Sequence, residues 1–314
     1  MTDNIAVRAE GLKKYYKNIK AVDGVDFSIE EGEIFSLLGP NGAGKTTTIH
    51  MLTGLFAPDA GDAYIFDNSI TNDALKAKAL MGVVPQEIAL YEDLTARENL
   101  LFWGRLYGLK GAQLKQRVEE ILELIGLQER QHQKVAKYSG GMKRRVNIGI
   151  ALLHLPRLVI MDEPTVGIDP QSRRHILDNV LELNKKGMTV LYTTHYMEEA
   201  QELSDHIAIM DQGKIVARGT HAELVKLVGE RDRVELTLSQ DGGKVLQAWR
   251  ELKGVSQIME EDGKVTLLVD DSNQVLPELF KIANYHAARI ASVAIHEPNL
   301  ETVFLHLTGK ALRD

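Results

Sequence analysis

The stretch from Ile34 to Thr48 constrains the fold of this 314-residue chain more than any other. Its first part, Ile34–Leu38, is a short and largely apolar run, which is typical of a buried strand. Gly39-Pro-Asn-Gly-Ala-Gly-Lys-Thr46 follows, and a helical pattern begins after Lys45. Glycines let successive backbone N–H groups point into one concavity, and the start of a helix adds positive charge there. The spacing G-x-x-x-x-G-K-T therefore predicts a loop that binds phosphate groups.

Two side chains of this loop suit a nucleoside triphosphate. Lys45 supplies a point charge for the β- and γ-phosphates, and the Thr46 hydroxyl is a ligand for magnesium. Hydrogen bonds to a charged partner contribute about 1.5–3 kcal/mol each, so several together can hold a triphosphate. The alternative is a glycine-rich turn that arises by chance, and the strand before it and the helix after it make that alternative less favourable.

Composition excludes several classes of protein. Lys and Arg number 37 against 44 Asp and Glu, a net charge of −7, which argues against nucleic acid as the main partner. There is no cysteine, so disulfides, thiol catalysis and cysteine-bound metals are excluded. No His-Glu-x-x-His motif supports a zinc hydrolase. We find no signal-peptide pattern and no apolar run near the ~20 residues of a membrane span, so we expect a cytosolic protein unless a partner holds it to a membrane.

Residues 5–33 alternate between apolar and polar side chains, which predicts antiparallel strands ahead of the phosphate loop. We expect turns at Gly11, Asp23–Gly24 and Glu31–Gly32. Tyr16 lies in this segment. Its ring can stack on a nucleotide base, but tyrosine is also a favoured strand residue, and spacing alone favours the second interpretation.

Helical patterns predominate between about residues 87 and 155, which we assign to a helical subdomain. Thr95 and Glu98 have the spacing of a capping box. Trp103 and Tyr107 lie four residues apart and are either core residues or part of a docking surface.

A second glycine-rich helix start follows Tyr138. Ser139 can cap this helix, and Gly140 and Gly141 leave backbone N–H groups exposed at its positive end. The motif is therefore either a second anion-binding site or an ordinary capped helix with a solvated basic face at residues 143–145.

Two later strands end in residues that suit catalysis. Leu158–Met161 is apolar and leads directly into Asp162 and Glu163, as in a buried parallel strand that carries acids at its carboxyl end, where ligands bind in open α/β sheets. We expect Asp162 to hold magnesium through water and Glu163 to orient or deprotonate the attacking water. The strand at 188–194 ends at His195, which is either structural or part of the same site.

Taken together, these features resemble the ATPase subunit of an ABC transporter. The resemblance covers roughly residues 1–225 and rests on GPNGAGKT, VVPQ, YSGGM, LVIMDEP, VGID and TTH in that order. It implies an α/β P-loop NTPase core with antiparallel β and α-helical subdomains. It also implies two head-to-tail subunits, here expected to be identical, that enclose two ATP molecules with Mg²⁺ and open after hydrolysis.

The resemblance also assigns roles to individual residues. Tyr16 matches the aromatic residue that stacks on adenine, which reverses the preference stated above. Gln86 matches the residue that senses magnesium and the γ-phosphate and links to the membrane partner. Glu163 matches the catalytic base and His195 the γ-phosphate switch. The signature that contacts the γ-phosphate of the opposite subunit is matched by Ser139, Gly140 and Gly141, and the loop that communicates across the dimer by Asp169. The residues expected to bind nucleotide are Tyr16, Asn41, Gly42, Ala43, Gly44, Lys45, Thr46, Thr47, Ser139, Gly140, Gly141 and Asp169, and those expected to hold magnesium are Thr46, Gln86 and Asp162.

Three residues depart from the general family pattern. Tyr138 and Met142 replace the usual Leu and Gln of the signature, and Val166 replaces the usual Ser of the loop that contacts the other subunit. These forms are similar to the branch that pairs with separate exporter membrane proteins for drugs, lipids, sodium or polysaccharides. We therefore expect an ATP-hydrolysing exporter subunit, held at the cytoplasmic face of the membrane by permease subunits, with no nucleic-acid partner.

Three other functions were weighed. A soluble ABC-type ATPase acting on ribosomes or DNA usually has two cassettes or a long coiled-coil insertion, and neither pattern is present. A GTPase needs Asn-Lys-x-Asp, but Asn184-Lys-Lys is followed by Gly187. A regulatory nucleotide-binding module would not need both Glu163 and His195.

The remaining segment, residues 229–314, follows an ATPase domain that we assign to residues 1–228. Its strand and helix patterns occur in the order βαββαβ, followed by a last helix at 299–307, which predicts a small ferredoxin-like α+β domain. Our hypothesis is an accessory domain for dimerisation or regulation, and the alternative is a stabilising appendage.

Overall fold

The computed structural model describes residues 4–227, 232–238, 243–261, 264–296 and 299–309. These residues form two compact units, one that extends to Arg218 and one that begins at Gly219. The domain boundary predicted after residue 228 lies outside the described residues. Within the part of the chain that the structure describes, no helix has both the length and the apolar character of a membrane span.

The first unit contains ten strands and seven α-helices among its described residues. They are β1 (Ile5–Tyr16), β2 (Ile19–Glu30), β3 (Ile34–Leu38), α1 (Lys45–Leu52), β4 (Ala60–Ile65), β5 (Asn68–Ser69), α2 (Ala74–Ala79), β6 (Met81–Val84), α3 (Ala96–Leu106), α4 (Gly111–Leu124), α5 (Gly140–Leu152), β7 (Leu158–Asp162), α6 (Pro170–Lys185), β8 (Thr189–Thr194), α7 (Met197–Leu203), β9 (His206–Asp211) and β10 (Lys214–Gly219).

The central sheet of this unit has the strand order β10-β9-β3-β8-β7-β6, in which the strands from β9 to β6 run parallel. It is buried on both faces. Leu158 and Ile160 of β7 pack in the core shared with the antiparallel sheet, whereas Val159 and Met161 pack against the helical layer. A parallel sheet covered on both faces needs apolar residues at consecutive positions, which explains the continuous apolar runs in the sequence. The carboxyl ends of β3, β6, β7 and β8 therefore meet at one edge.

The antiparallel sheet has the order β2-β1-β4-β5. Two of the turns predicted from the sequence are wrong: β1 runs through Gly11, and β2 runs through Asp23–Gly24. Gly11 and Gly24 have φ of 57° and 79°, and the register of β1 against β2 shifts beside them, as in β-bulges. The chain reverses instead at residues 17–18, and the turn at 31–32 is present as predicted.

The helical layer begins with the predicted capping box. The Thr95 side chain accepts a hydrogen bond from the Glu98 N–H, and the Glu98 carboxylate accepts one from the Thr95 N–H. Such reciprocal caps stabilise a helix end by satisfying donors that the helix itself leaves free.

The second unit opens with a short helix and then has the predicted βαββαβ order followed by a last helix. Its four strands pair antiparallel in the order β12-β13-β11-β14, the arrangement of a ferredoxin-like domain. Trp249 is fully buried in its core and donates its indole N–H to the Leu279 carbonyl at 3.1 Å. The elements are α8 (His221–Lys226), β11 (Asp232–Leu238), α9 (Gly243–Arg250), β12 (Val255–Glu261), β13 (Lys264–Val269), α10 (Ser272–Tyr285), β14 (Ile290–His296) and α11 (Leu300–Thr308).

Candidate functional site

A cavity of about 890 Å³ lies at the carboxyl edge of the central sheet. It is open to solvent and large enough for a nucleotide. The predicted residues that line it are Tyr16, Asn41, Gly42, Gly44, Lys45, Thr46, Thr47, Gln86 and Glu163, and they are joined by Asn18, Ile19, Lys20, Ala21, Asp23, Gln212 and Lys214.

The loop between β3 and α1 needs glycine for two different reasons. Gly42 and Gly44 have φ of 82° and 108°, in the left-handed region that other residues rarely adopt. A Cβ atom on Gly39 would lie 2.3 Å from the Met210 carbonyl oxygen, and one on Gly44 would lie 2.4 Å from the Ala21 carbonyl oxygen. Neighbouring backbone therefore approaches the loop too closely for a side chain, which fixes the concavity that the sequence predicted.

Lys45 is held inside this concavity and is only 4% exposed. Its ammonium group donates to the carbonyl oxygens of Gly39 at 2.6 Å and Pro40 at 3.1 Å. It also forms an ion pair with Glu163 Oε1 at 2.9 Å. A buried lysine thus has its charge balanced by the carboxylate that the sequence predicts as the catalytic base.

Glu163 is the point at which the predicted catalytic residues converge. Besides Lys45, its carboxylate lies 3.4 Å from Gln86 Nε2 and 3.5 Å from His195 Nδ1. Glu163 is 4% exposed and has φ of 44°, an uncommon conformation for a residue other than glycine. Such strain persists where the surroundings fix it, and it is common at active sites.

The neighbouring strand β8 fixes both acids, a contribution that the sequence analysis missed. The Thr193 hydroxyl donates to Asp162 Oδ1 at 2.7 Å and accepts the Glu163 backbone N–H at 2.9 Å. Asp162 and Thr193 are register partners in the parallel ladder. The only signal in the sequence was a threonine pair directly before His195.

Arg144 positions the loop that carries Gln86. It is 3% exposed and donates to the carbonyl oxygens of Pro85 at 2.6 Å and Gln86 at 2.5 Å. Burial lowers the pKa of this guanidinium, and the nearby Asp162 carboxylate opposes that effect. The solvated basic face considered for residues 143–145 is therefore wrong at Arg144, because this side chain points inward and binds backbone.

Apart from Ala43, which is buried in the phosphate loop, the remaining predicted nucleotide contacts lie on another part of the unit. Among the residues described as lining the cavity, Ser139, Gly140, Gly141 and Asp169 are absent. Ser139 caps α5 by accepting the Met142 N–H, and Asp169 caps α6 by accepting the Ser172 N–H. The hydrogen bond from the Ser172 N–H holds the pKa of the Asp169 carboxyl below its usual value.

The starts of α5 and α6 touch at Gly141. A Cβ atom on this glycine would lie 2.1 Å from Ser172 Oγ and 2.2 Å from Ser172 Cβ. Gly141 therefore allows the two helix starts to approach closely, and the glycine is needed for packing as well as for access to its backbone N–H.

The donors at the cavity suit a hard divalent cation. Thr46 and Gln86 line it with a hydroxyl and an amide oxygen, and the buried Asp162 carboxylate ends β7 at the same edge of the sheet. Magnesium prefers such oxygen ligands and commonly shares them with substrate phosphates. These residues therefore fit the predicted magnesium site.

Tyr16 lies at the mouth of the cavity with 41% of its surface exposed. Its ring makes an edge contact with Phe56, with ring centroids 6.5 Å apart. A half-exposed aromatic ring beside the phosphate loop is placed for stacking on a base, so the predicted role remains compatible with the geometry.

Comparisons with known proteins agree with this geometry. The family model for ABC transporters matches residues 22–166. The chain is 48% identical over 310 residues to the linearmycin resistance ATP-binding protein LnrL of Bacillus subtilis, which covers 98% of this chain and 100% of that protein. It is 39% identical to the Nod factor export ATP-binding protein I of Ralstonia nicotianae, over 97% of this chain and 94% of that protein. It is 36% identical to the daunorubicin/doxorubicin resistance ATP-binding protein DrrA of Streptomyces peucetius, over 98% and 94%.

Solved structures with a similar fold are also ATP-binding cassettes. An ATP-binding subunit of an ABC transporter superposes with a TM-score of 0.65 at 31% identity, over 71% of this chain and 93% of that one. A dimeric cassette in a post-hydrolysis state, bound to ADP and Pi, superposes with a TM-score of 0.62 at 28% identity, over 68% and 98%. The predicted α/β P-loop fold is thereby confirmed. From its motifs, its fold and these relatives, the chain belongs to the ATP-binding proteins of ABC transporters, a family of ATPases.

Proposed function

We propose that this ATPase works as a dimer of identical subunits and drives export through separate permease subunits at the cytoplasmic face of a membrane. The observation that carries ATP hydrolysis, the step that drives export in this proposal, is the convergence of Lys45, Gln86 and His195 on one buried carboxylate, Glu163. A module that only bound nucleotide would need the phosphate loop but not this arrangement.

Each of these residues has a separate task in hydrolysis. Lys45 binds the β- and γ-phosphate oxygens of ATP and, in doing so, leaves the Glu163 carboxylate free to accept a proton from water. His195 donates a hydrogen bond to the γ-phosphate, and Gln86, whose amide lies beside Glu163, senses magnesium and the γ-phosphate. Thr46, Gln86 and Asp162 would hold magnesium, which would supply positive charge to the phosphate oxygens.

The need for two subunits follows from the division of the binding residues. The phosphate loop and Glu163 share one cavity, whereas Ser139, Gly140 and Gly141 lie away from it on the same unit. Their backbone N–H groups at the start of α5 suit an anion. We infer that they contact the γ-phosphate bound in a second copy, with Asp169 beside the shared boundary.

An aromatic surface on the helical layer is the inferred contact with the permease. Tyr91, Phe102 and Tyr107 are exposed, and Trp103 lies between the last two. Tyr91 and Phe102 meet edge to face, with ring centroids 4.9 Å apart. Exposed aromatic clusters are typical of protein interfaces, and this one follows the Gln86 segment in the chain.

The names of the relatives differ in cargo. One concerns resistance to linearmycin, one export of Nod factor and one resistance to daunorubicin and doxorubicin. We infer from this variety that the permease selects the cargo. We also infer that this chain powers the export of a compound comparable to those named for the relatives.

A reconstitution experiment tests the proposal. The chain is co-expressed with the membrane protein encoded beside it, and phosphate release is measured for the chain alone and for the complex in lipid nanodiscs. We expect the two proteins to co-purify and the complex to hydrolyse ATP faster. A Tyr91→Ser/Phe102→Ser variant should keep the ATPase activity of the free chain and lose the complex. If no membrane protein binds the wild-type chain, the exporter role is wrong.

Replacing Lys45 with methionine should affect both nucleotide binding and stability. Loss of charged hydrogen bonds should weaken ATP binding by about 10- to 150-fold. Without nucleotide, the change leaves the Glu163 carboxylate buried and without its cation, which costs about 3–5 kcal/mol in the free energy of unfolding. Binding is measured with a fluorescent ATP analogue and stability by urea denaturation.

The double variant Lys45→Met/Glu163→Gln separates these two effects. It should regain a large part of the lost stability, because no unpaired charge remains, but none of the lost affinity. Equal stability of the single and double variants would contradict the ion pair as a determinant of stability.

A further inference from the structure

Glu199 of α7 is the most completely buried carboxylate that has no role in the proposed hydrolysis. It is 1% exposed. One carboxylate oxygen accepts the Tyr192 hydroxyl at 3.0 Å and the Thr194 hydroxyl at 2.8 Å, and the other accepts Arg173 Nε at 2.6 Å. Three donors from two different elements, β8 and α6, therefore meet at one carboxylate.

On the β8 side, this network fixes the backbone around His195. The Thr194 hydroxyl that donates to Glu199 also accepts the Tyr196 N–H at 2.9 Å, so it bridges the residues on both sides of the histidine. The Thr194 carbonyl oxygen accepts the Gly39 N–H at 3.3 Å, at the first residue of the phosphate loop. Glu199 is thus joined through Thr194 to the His195 segment and to the first residue of the phosphate loop.

On the α6 side, the network reaches the part of the unit that lies away from the cavity. The Arg173 N–H donates to the Asp169 carbonyl oxygen at 2.8 Å, and Arg173 also covers the Tyr196 ring, at 4.2 Å from its centroid. The neighbouring Ser172 is the residue against which Gly141 packs. Arg173 is therefore bonded to the start of α6, which packs against the start of α5. These two helix starts are the ones inferred to lie at the partner's ATP.

We propose that Glu199 is a positioning residue that couples the two nucleotide sites of the dimer. It ties the His195 segment, which serves one ATP, to the start of α6, which lies at the other. The inference rests on the proposed dimer, because only there do these two regions of one subunit face different nucleotides.

The chemistry of the network makes the link stiff. A buried carboxylate that gives up one donor leaves a charge unpaired in a medium of low polarity, so the network is kept whole or broken as a unit. Burial and the neighbouring Glu199 charge raise the pKa of Tyr192 well above its usual value, so its hydroxyl stays protonated as a donor. The two elements are therefore expected to move together.

The same two helices offer a matched control. Arg174 of α6 forms an ion pair with Glu202 of α7 at 2.5 Å, but both side chains are exposed, and no hydrogen bond or ion pair joins either of them to β8 among the described residues. The Arg174–Glu202 pair thus joins α6 to α7 as the Arg173–Glu199 pair does, without the connection to His195. Breaking the Arg174–Glu202 pair tests whether an ion pair between α6 and α7 is sufficient to couple the two nucleotide sites.

The test compares Glu199→Gln, Arg173→Met, Arg173→Lys and Arg174→Met in steady-state ATP hydrolysis. For the wild type we expect a Hill coefficient for ATP above one. Glu199→Gln and Arg173→Met should bring it to one and lower kcat by about 2- to 30-fold, the range for residues that couple two sites, with ATP affinity unchanged at the isolated subunit. Arg173→Lys should regain part of the loss, and Arg174→Met should match the wild type. Arg173→Met leaves the buried Glu199 carboxylate without its cation, so melting temperatures check that each variant is folded before its kinetics are compared.

The outcomes separate this inference from the proposed function. If the wild type neither dimerises with ATP nor shows cooperativity, the proposed dimer is wrong, and the proposed coupling, which depends on the dimer, is wrong as well. If the wild type is cooperative and folded Glu199→Gln and Arg173→Met variants remain equally cooperative, only the coupling is wrong. An equal loss of cooperativity and kcat in Arg174→Met would also overturn the proposed coupling by Glu199, because the packing of α6 against α7 would then explain the loss.

Discussion

Replacing Glu163 with glutamine is expected to lower ATP hydrolysis by about 100- to 10,000-fold, the usual contribution of a general base. Glutamine keeps the size of the side chain and its contact with Gln86, but it cannot take a proton from water. ATP binding should be kept, because the phosphate loop and Lys45 are unchanged and Lys45 loses a competing anion. Phosphate release under saturating ATP and magnesium measures the effect.

The same variant should trap the dimer. Since ATP remains uncleaved between the subunits, Glu163→Gln should elute as a dimer with ATP and as a monomer without it. Glu33 provides a matched control, because it is also a buried carboxylate and lies before β3, at the opposite end of the central sheet, paired with His206 at 2.8 Å. Glu33→Gln should leave the rate per folded molecule unchanged. Normal turnover by Glu163→Gln would reject Glu163 as the base.

The residues that could be predicted from the sequence are those whose role depends on their immediate neighbours along the chain. The phosphate loop requires glycines and a lysine at fixed spacing between a strand and a helix, and Asp162 and Glu163 follow an apolar strand directly. In these cases neighbouring residues specify the geometry. The cavity is accordingly lined by every predicted binding residue of the phosphate loop except Ala43.

What could not be predicted depends on contacts between distant segments. Arg144 binds backbone carbonyls 59 and 58 residues earlier in the chain, and Thr193 fixes acids about 30 residues away. A basic run looks the same in sequence whether its middle residue is solvated or buried. Tertiary packing alone turns Arg144 inward, so spacing carried no signal for it.

The wrong turns at Gly11 and Asp23–Gly24 have a different cause. A glycine with positive φ serves a tight turn and a β-bulge equally well. The chain reverses at Lys17 and Asn18, neither of which is a glycine, and Lys17 itself has φ of 55°. Glycine therefore indicated the positive φ at residues 11 and 24, but it did not indicate the positive φ of Lys17, where the chain reverses.

Replacing Gly141 with alanine is the second change with a large expected effect. Alanine is intrinsically better than glycine inside a helix by about 0.5–1 kcal/mol, so the change would favour α5 in isolation. Here its Cβ atom would lie 2.1 Å from Ser172 Oγ, so the starts of α5 and α6 must move apart. Displacing a binding group by about 1 Å can cost about 100-fold in rate, and we expect a loss of this size in hydrolysis.

Affinity should separate this defect from loss of nucleotide binding. Gly141 lies away from the residues that line the cavity, so ATP binding to the isolated Gly141→Ala subunit should equal that of the wild type. Ser172→Gly removes both atoms that the new methyl group would meet, so Gly141→Ala/Ser172→Gly should regain most of the rate relative to Ser172→Gly alone. Rescue would show that the close approach of α5 and α6 sets the geometry of the shared site. A double variant as slow as Gly141→Ala would mean instead that the methyl group obstructs the nucleotide itself.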